Sequence, residues 1–205
     1  MAKRVFDVLV SFFAILLLSP LLIALAAWVK IDSKGSALFR QTRVGRHGVP
    51  FEILKFRTMR ADALAEGPQI TVGNDSRITR AGAFLRPYKL DELPQFINVL
   101  RGEMSVVGPR PEVPRYVALY SQPQREAILS VRPGITDTAS VEFRNESTLL
   151  EEADDPESFY RQVILPAKLE HAERYVRTHS LLGDLRIILR TVAALASVPS
   201  STSGR

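Results

Sequence analysis

Asp91 and Glu92 stand side by side, and Lys55, Arg57, Arg86, Lys89 and Arg110 lie on the segments around them. An aspartate of ordinary pKa, about 3.9, is ionised at neutral pH and can attack an electrophile without a general base. Arginines grip phosphate oxygens through paired N–H bonds, and a lysine adds a point charge. A hard cation such as Mg²⁺ bridges carboxylate and phosphate oxygens. The set suits chemistry at a phosphorylated substrate. Asp91 and Glu92 are its candidate catalytic and metal-binding carboxylates; Lys55, Arg57, Arg86 and Arg110 are its candidate phosphate-binding groups. Adjacent helical residues point about 100° apart, so the two carboxylates divide the labour, one attacking or holding metal and the other assisting. A plainer reading stands beside this one: Asp91 caps a helix and Glu92 favours its dipole.

Other chemistries lack their residues. The chain has no cysteine, which excludes a disulfide scaffold, a thiolate nucleophile and any Cys-ligated metal site. His47, His171 and His179 lack the spacing of a zinc pair with an acid. No G-x-S-x-G, G-x-G-x-x-G, P-loop or D-x-D pattern occurs.

The elements that must position the acidic pair can be read from periodicity. Leu93, Phe96, Ile97 and Leu100 fall on one helical face and Gly102 supplies a stop. Pro94 is tolerated in the first turn, which puts Asp91 close to the N-cap. Upstream, Ala37–Gln41 and Val49–Phe56 lean to strand around Gly45-Arg46-His47-Gly48, a hairpin pattern. Residues 62–76 read as a loop and 78–85 as a short helix. Downstream, the spacing predicts a rigid loop at Val107–Pro111, a helix over 115–129, an irregular segment from Arg132-Pro133-Gly134 to about Asn145, and a polar helix over 157–177. A last helix carries Leu181, Leu185, Ile188, Val192 and Leu195 on one stripe, suited either to the bilayer interface or to the protein's own core. The expected division is a membrane helix over 1–34, a catalytic domain over 35–198 and a disordered tail over 199–205.

Hydrophobicity is concentrated at the other end. Val8–Val29 is an uncharged run of 22 residues, broken only by Ser11, Ser19 and Pro20. The rest of the 205 residues has the composition of a soluble domain. The net charge of +5 also localises: residues 1–60 hold 10 Lys/Arg against 3 acids, so the basic excess collars the apolar run. That distribution, without aromatic interleaving, argues against a nucleic-acid partner. Three readings compete for the run. A signal peptide has a basic start and a cleavage pattern at Ala24-Leu25-Ala26, but its apolar part is too long. A spanning helix is long enough, about 33 Å against a core of about 30 Å, yet both flanks are basic and give no orientation. A re-entrant helix fits both flanks: Ser19-Pro20 interrupts the run, and the Ser19 hydroxyl can satisfy the carbonyl that proline frees.

The quoted residues also carry a resemblance. Lys55-Phe56-Arg57-Thr58-Met59, Leu90-Asp91-Glu92-Leu93-Pro94-Gln95, Asn98-Val99-Leu100, Gly102-Glu103-Met104-Ser105, Val107-Gly108-Pro109-Arg110-Pro111 and Arg132-Pro133-Gly134-Ile135-Thr136 occur in this order. The chain resembles the bacterial sugar transferases, in the form of the small monotopic phosphoglycosyl transferases. The resemblance implies transfer of a sugar 1-phosphate from a nucleoside diphosphate sugar, usually a UDP-sugar, to polyprenyl (undecaprenyl) phosphate, with release of UMP. It implies Asp91 as nucleophile, a phosphosugar-aspartyl intermediate, Mg²⁺ as cofactor, and a place at the first membrane step of glycoconjugate, exopolysaccharide or O-antigen assembly. The expected location is the cytoplasmic face of the bacterial inner membrane, among membrane lipids, with a homo-oligomer allowed. The expected fold is α+β, mainly helical: a re-entrant membrane helix broken at Ser19-Pro20, a small β-hairpin, and amphipathic interfacial helices around the site. Rival readings are a membrane hydrolase and a non-catalytic lipid-binding or scaffold protein. The sequence departs from many relatives at Asp137–Asn145, where they carry glycine, an apolar residue and Ala-Gln-Val-Asn-Gly-Arg-Asn.

Overall fold

The apolar run folds as part of one unbroken helix, α1 (Ala2–Asp32), in the computed structural model, which describes residues 1–60, 72–73, 75–143 and 145–197. The expected interruption at Ser19-Pro20 is not a break: the helix continues through Pro20. Proline cannot donate to the carbonyl of Leu16, four residues back. Ser19 Oγ donates to that carbonyl instead, at 2.8 Å, so the local defect is satisfied from within the turn. Along the inner face Asp7, Ser11, Leu25 and Val29 are buried, while Leu17 and Ile23 on the outer face are 76% and 71% exposed.

The hairpin forms as expected. Strands β1 (Leu38–Val44) and β2 (Pro50–Phe56) pair antiparallel from Leu38↔Phe56 to Val44↔Pro50. Their turn closes through Gly45 N–H donating to Val49 O, and His47 adopts a left-handed φ of 59°. Residues 62–71 and 74 of the expected loop lie outside the described residues. Helix α2 (Arg80–Leu85) follows, capped by Thr79 Oγ1 on Gly82 N–H.

The helix after the acidic pair starts later than periodicity indicates. Leu90–Glu92 form a single 3₁₀ turn, Pro94 is the N-cap, and α3 spans Gln95–Arg101 before Gly102 ends it at φ 86°. Pro94 takes the N-cap, a position whose N–H has no partner within the helix, so its missing donor costs nothing there. Downstream, a short parallel pairing joins β3 (Ser105–Val107) to β4 (Gly134–Thr136), inside the segment expected to be irregular. The pairing depends on two glycines. A Cβ on Gly134 would lie 2.1 Å from Gly108 N, so backbones can meet there only without side chains. Gly134 N–H donates to Pro109 O, and Gly108 N–H to Thr136 O. These bonds fix the Pro109-Arg110-Pro111 loop.

The predicted helix over 115–129 is two helices, α4 (Pro114–Val117) and α5 (Gln122–Ile128). Ser121 and Gln124 form a capping box and Pro123 sits in the first turn, so a new helix starts where a continuous one was expected. Then come α6 (Thr138–Glu142), α7 (Glu146–Glu151) and α8 (Pro156–Phe159). A π-helical stretch over Tyr160–Ile164 leads into α9 (Leu165–Thr178), with Pro166 in its first turn. The last helix, α10 (Leu181–Ala196), buries Asp184 and Ile187 and leaves Leu182, Leu185 and Leu189 exposed. The tail expected over 199–205 lies outside the described residues.

Three apolar clusters hold these parts. Tyr116, Ile128, Leu150, Tyr160, Ile164 and Leu169 join α4, α5, α7 and α9. Phe51, Ile53, Val99, Met104, Val107 and Ile187 join the hairpin, α3, β3 and α10. Leu25 and Val29 of α1 pack with Phe56, Ala81 and Leu85. Among the described residues the architecture is mainly helical α+β, with two small sheets and one helix long and apolar enough to cross a membrane.

Candidate active site

The 3₁₀ turn carrying Asp91 and Glu92 follows Lys89, whose φ of 53° is left-handed. Both carboxylates of the turn lie in the interior, 8% and 6% exposed. Asp91 does not cap α3, and its Oδ1 is buried without a hydrogen-bond partner. Glu92 is fully engaged: Lys55 Nζ donates to Oε1 at 2.9 Å, and Arg110 donates to Oε2 at 3.1 Å and to Oε1. The two neighbours therefore differ in their electrostatic surroundings. Burial and the adjacent Glu92 carboxylate push Asp91 above the ordinary carboxylate range. Burial alone would raise Glu92 too, but Arg110, Lys55 and Lys89 hold it well below that range. Burial also lowers the Lys55 ammonium, opposed by Glu92. Glu92 keeps Arg110 firmly charged. Glu92 organises the cations, and Asp91 Oδ1 is left without a hydrogen bond.

Two cavities of opposite character meet beside this turn. One, of about 240 Å³, is polar and runs past Arg43, Glu112, Tyr116, Tyr160 and Lys168. The other, of about 410 Å³, is lined by Glu92 and mostly by apolar side chains of α1, α3, β4 and α10. Arg86, Lys89, Arg110 and Ser140 line both. Of the residues singled out in the sequence, Lys55 and Arg110 thus reach Glu92, and Arg86 and Lys89 stand at the junction. Arg57 does not join them. Its guanidinium donates to Val29 O, Ser33 O and Ser33 Oγ, closing the C-terminal end of α1. A carbonyl-rich helix end attracts an arginine as a phosphate does, and types and spacing alone do not separate the two.

Sequence reasoning missed several positioning groups. Asp137 Oδ2 accepts from Arg110 N–H and Oδ1 from Ser140 N–H, which ties the arginine loop to the start of α6. Glu112 accepts from Tyr160 OH at 2.9 Å inside the polar cavity. Lys3, read only as part of a basic flank, donates to Asp184 Oδ2 at 2.6 Å and to Val107 O at 3.0 Å. Tyr175 OH lies within hydrogen-bond reach of both Asp184 Oδ1 and Val107 O, and Asp7 accepts from Ser105 Oγ and Val106 N–H. Arg4 donates to Val99 O and Leu100 O at the end of α3. The start of α1 is therefore bonded to α3, which follows the acidic pair, and to β3 and α10. At its far end, Asp32 Oδ2 accepts from Ala81 N–H of α2. The signal for this clasp was present as Lys3, Asp7 and Asp184, charges lying on otherwise apolar helices.

Known proteins resemble this chain along nearly its whole length. A UDP-glucose:undecaprenyl-phosphate glucose-1-phosphate transferase of Caulobacter vibrioides is 41% identical over 97% of this chain and 71% of its own length. A UDP-N-acetylgalactosamine-undecaprenyl-phosphate N-acetylgalactosaminephosphotransferase of Aeromonas hydrophila is 37% identical over 94% of this chain, which spans 43% of that relative. The exopolysaccharide production protein PSS of Rhizobium leguminosarum bv. phaseoli is 39% identical over 94% of both chains. The family model for bacterial sugar transferases matches residues 1–197, so it takes in α1, the Asp91-Glu92 turn, the arginine loop and α10 together, and the chain belongs to that family.

Proposed function

We propose that this chain transfers a sugar 1-phosphate from a UDP-sugar to undecaprenyl phosphate, releasing UMP, at the surface of the bacterial inner membrane. The observation that carries the reading is the asymmetry of the acidic turn. Asp91 presents an unpartnered carboxylate oxygen, while Glu92 holds Arg110 and Lys55 beside the junction of a polar and an apolar cavity. The polar cavity suits a nucleotide sugar and the apolar one a lipid. The relatives' named substrates support both assignments.

In this mechanism a carboxylate oxygen of Asp91 attacks the sugar-bearing phosphorus. The bond between that phosphorus and the bridging oxygen breaks, and UMP leaves with the electron pair. A phosphate oxygen of the acceptor then attacks the same phosphorus, and the Asp91 carboxylate departs. The raised pKa of Asp91 marks a poorly solvated and therefore more basic nucleophile. Arg110, Lys89 and Arg86 offset the repulsion between carboxylate and diphosphate, and Glu92 keeps Arg110 in place. The donor set fits Mg²⁺ in part. Among the described residues no group of three or more acids or histidines converges, and Glu92 is already engaged. Asp91 would be the residue to hold the ion. When bound, the ion supplies positive charge to the diphosphate.

Attachment of α1 supports a same-face topology. Its start is bonded to β3, α3 and α10 and its end to α2 and β2, all in one body. A straight helix of 31 residues is about 46 Å long and would carry its far end across a bilayer, away from that body. Both basic flanks instead lie with the site, which the positive-inside rule puts in the cytoplasm. The remaining apolar face, Phe12, Phe13, Leu16, Leu17 and Ile23, meets lipid. Assay of UMP release from UDP-sugars with Mg²⁺, with and without undecaprenyl phosphate, tests the function. Without acceptor, at most one UMP per protein and a phosphosugar adduct on the Asp91 peptide are expected. Continued UMP release that ignores the lipid makes the protein a hydrolase. Undiminished UMP release in Asp91→Asn removes Asp91 as the nucleophile, and no UMP release from the unmodified protein leaves a scaffold.

A further inference from the structure

Resting on the transfer reading, we propose that the Ser140 hydroxyl donates a hydrogen bond to a non-bridging oxygen of the phosphoryl group as that group passes from donor to acceptor. Among the described residues four side chains line both cavities, and Ser140 is the uncharged one beside Arg86, Lys89 and Arg110. In a two-step displacement the nucleotide leaves and the lipid phosphate arrives later. The phosphoryl group is common to both steps, so it belongs where the cavities meet. A group at that junction stays with it throughout, whereas a group deep in either cavity meets one substrate only.

Two observations set this serine apart from one that serves the fold. Its Oγ is buried and has no hydrogen-bond partner. A serine within a helix ordinarily caps the helix start or gives its hydroxyl to a carbonyl three or four residues back. Here Asp137 is the N-cap of α6, and Ser140 uses neither outlet. An unmet buried hydroxyl costs stability, so the fold gains nothing from it. Rotation about one bond, Cα–Cβ, turns the Oγ toward the cavities without breaking a hydrogen bond. The second observation is how the backbone beneath it is held. Ser140 N–H donates to Asp137 Oδ1 at 2.6 Å, and Arg110 N–H donates to Oδ2 of the same carboxylate at 3.1 Å. Asp137 is buried, and the Arg110 guanidinium goes on to Glu92. One carboxylate thus fixes the serine and the arginine relative to each other and to the acidic turn. A neutral donor placed among cations adds a directed hydrogen bond to their attraction and needs no reorganisation during the reaction. The hydroxyl keeps its proton in both steps.

The test is single-turnover kinetics on the full-length protein in detergent micelles, with undecaprenyl phosphate and the UDP-sugar that the unmodified protein turns over fastest. Ser140→Ala should slow both formation of the phosphosugar adduct and its transfer to lipid by about 10- to 100-fold. Both KM values should stay within about threefold, as for a contact made in the transition state. The Tm should equal or exceed that of the unmodified protein, because no bond within the fold is lost. Sulfur in place of a non-bridging oxygen on the sugar-bearing phosphorus weakens the same hydrogen bond. One thio diastereomer should therefore slow the unmodified protein markedly and Ser140→Ala much less. Unchanged rates in Ser140→Ala overturn the proposal, and so do equal sulfur effects in the two proteins. Slowing of one step alone, or an altered KM or UDP-sugar preference at intact rate, also overturns it by moving the hydroxyl onto the nucleotide or the sugar. Failure of the transfer reading appears separately, as absence of adduct and of UMP release in the unmodified protein.

Discussion

Replacing Lys3 with methionine should loosen the whole site, although Lys3 is 88 residues from Asp91 in sequence. The Asp184 side chain is fully buried, with Oδ2 on Lys3 at 2.6 Å and Oδ1 on Tyr175 OH at 2.9 Å. Methionine preserves the packing of the stem but leaves the carboxylate with one neutral donor. Removing one partner of a buried pair costs about 3–5 kcal/mol. The Lys3 side chain is 30% exposed, so water shares part of the load and the lower bound applies, about 3 kcal/mol. In a domain of this size that is a fall in Tm of about 6–12 °C. Asp7, the second acid near Lys3, keeps Ser105 Oγ and Val106 N–H and adds little. Asp184→Asn retains an acceptor for Tyr175 and removes the unmatched charge. The double variant Lys3→Met/Asp184→Asn should therefore recover stability relative to the sum of the single changes by about 1–3 kcal/mol. Thermal unfolding followed by fluorescence of Trp28 reads this directly. That indole is the chain's single tryptophan and packs against Phe84 of α2 at 5.3 Å, so it senses release of α1. Strict additivity, or a Tm change below 2 °C in Lys3→Met, would refute the clasp.

Asp91→Asn should abolish UMP release yet raise Tm by a few degrees. A carboxyl whose pKa is raised in the fold contributes stability at low pH that is lost as pH rises through the folded value, so ionised Asp91 costs stability at neutral pH. A lower Tm would show that the Asp91 charge is paired. For the same reason the acid limb of UMP formation should lie above the ordinary carboxylate range. Glu92→Gln removes a like charge and should move that limb to lower pH; a shift upward contradicts the assignment. Arg57→Ala should lower stability by about 1.5–3 kcal/mol through loss of charged hydrogen bonds to α1, with the donor KM within twofold. A large KM increase without loss of Tm would return Arg57 to the substrate.

Some of this was legible because it depends on neighbours in sequence. The hairpin follows from two β-leaning stretches around Gly45–Gly48, and the end of α3 from Gly102. Ser19 satisfying Leu16 is a one-turn effect, and so is the amphipathic pattern of α10. The α4–α5 division was marked by Ser121 and Pro123, but the capping box competes with an unbroken apolar pattern and is easily overruled by it. The parallel β3–β4 pairing joins residues almost thirty apart through glycine contacts, so no local pattern announces it.

The site divides in the same way. By itself the sequence determined which groups could act: an acidic pair, a surplus of arginines and lysines, no thiol, and one apolar segment with a basic collar. Those are properties of composition and order, and they survive any fold. Only the tertiary structure decided which cation meets which anion. It gave Arg110 and Lys55 to Glu92, sent Arg57 to the end of α1, and left Asp91 without a partner. It also made Lys3 and Asp184, nearly the two ends of the chain, one buried pair. The reason is physical: desolvation makes a charge depend on its nearest opposite charge in space, and that distance does not exist until the chain has folded.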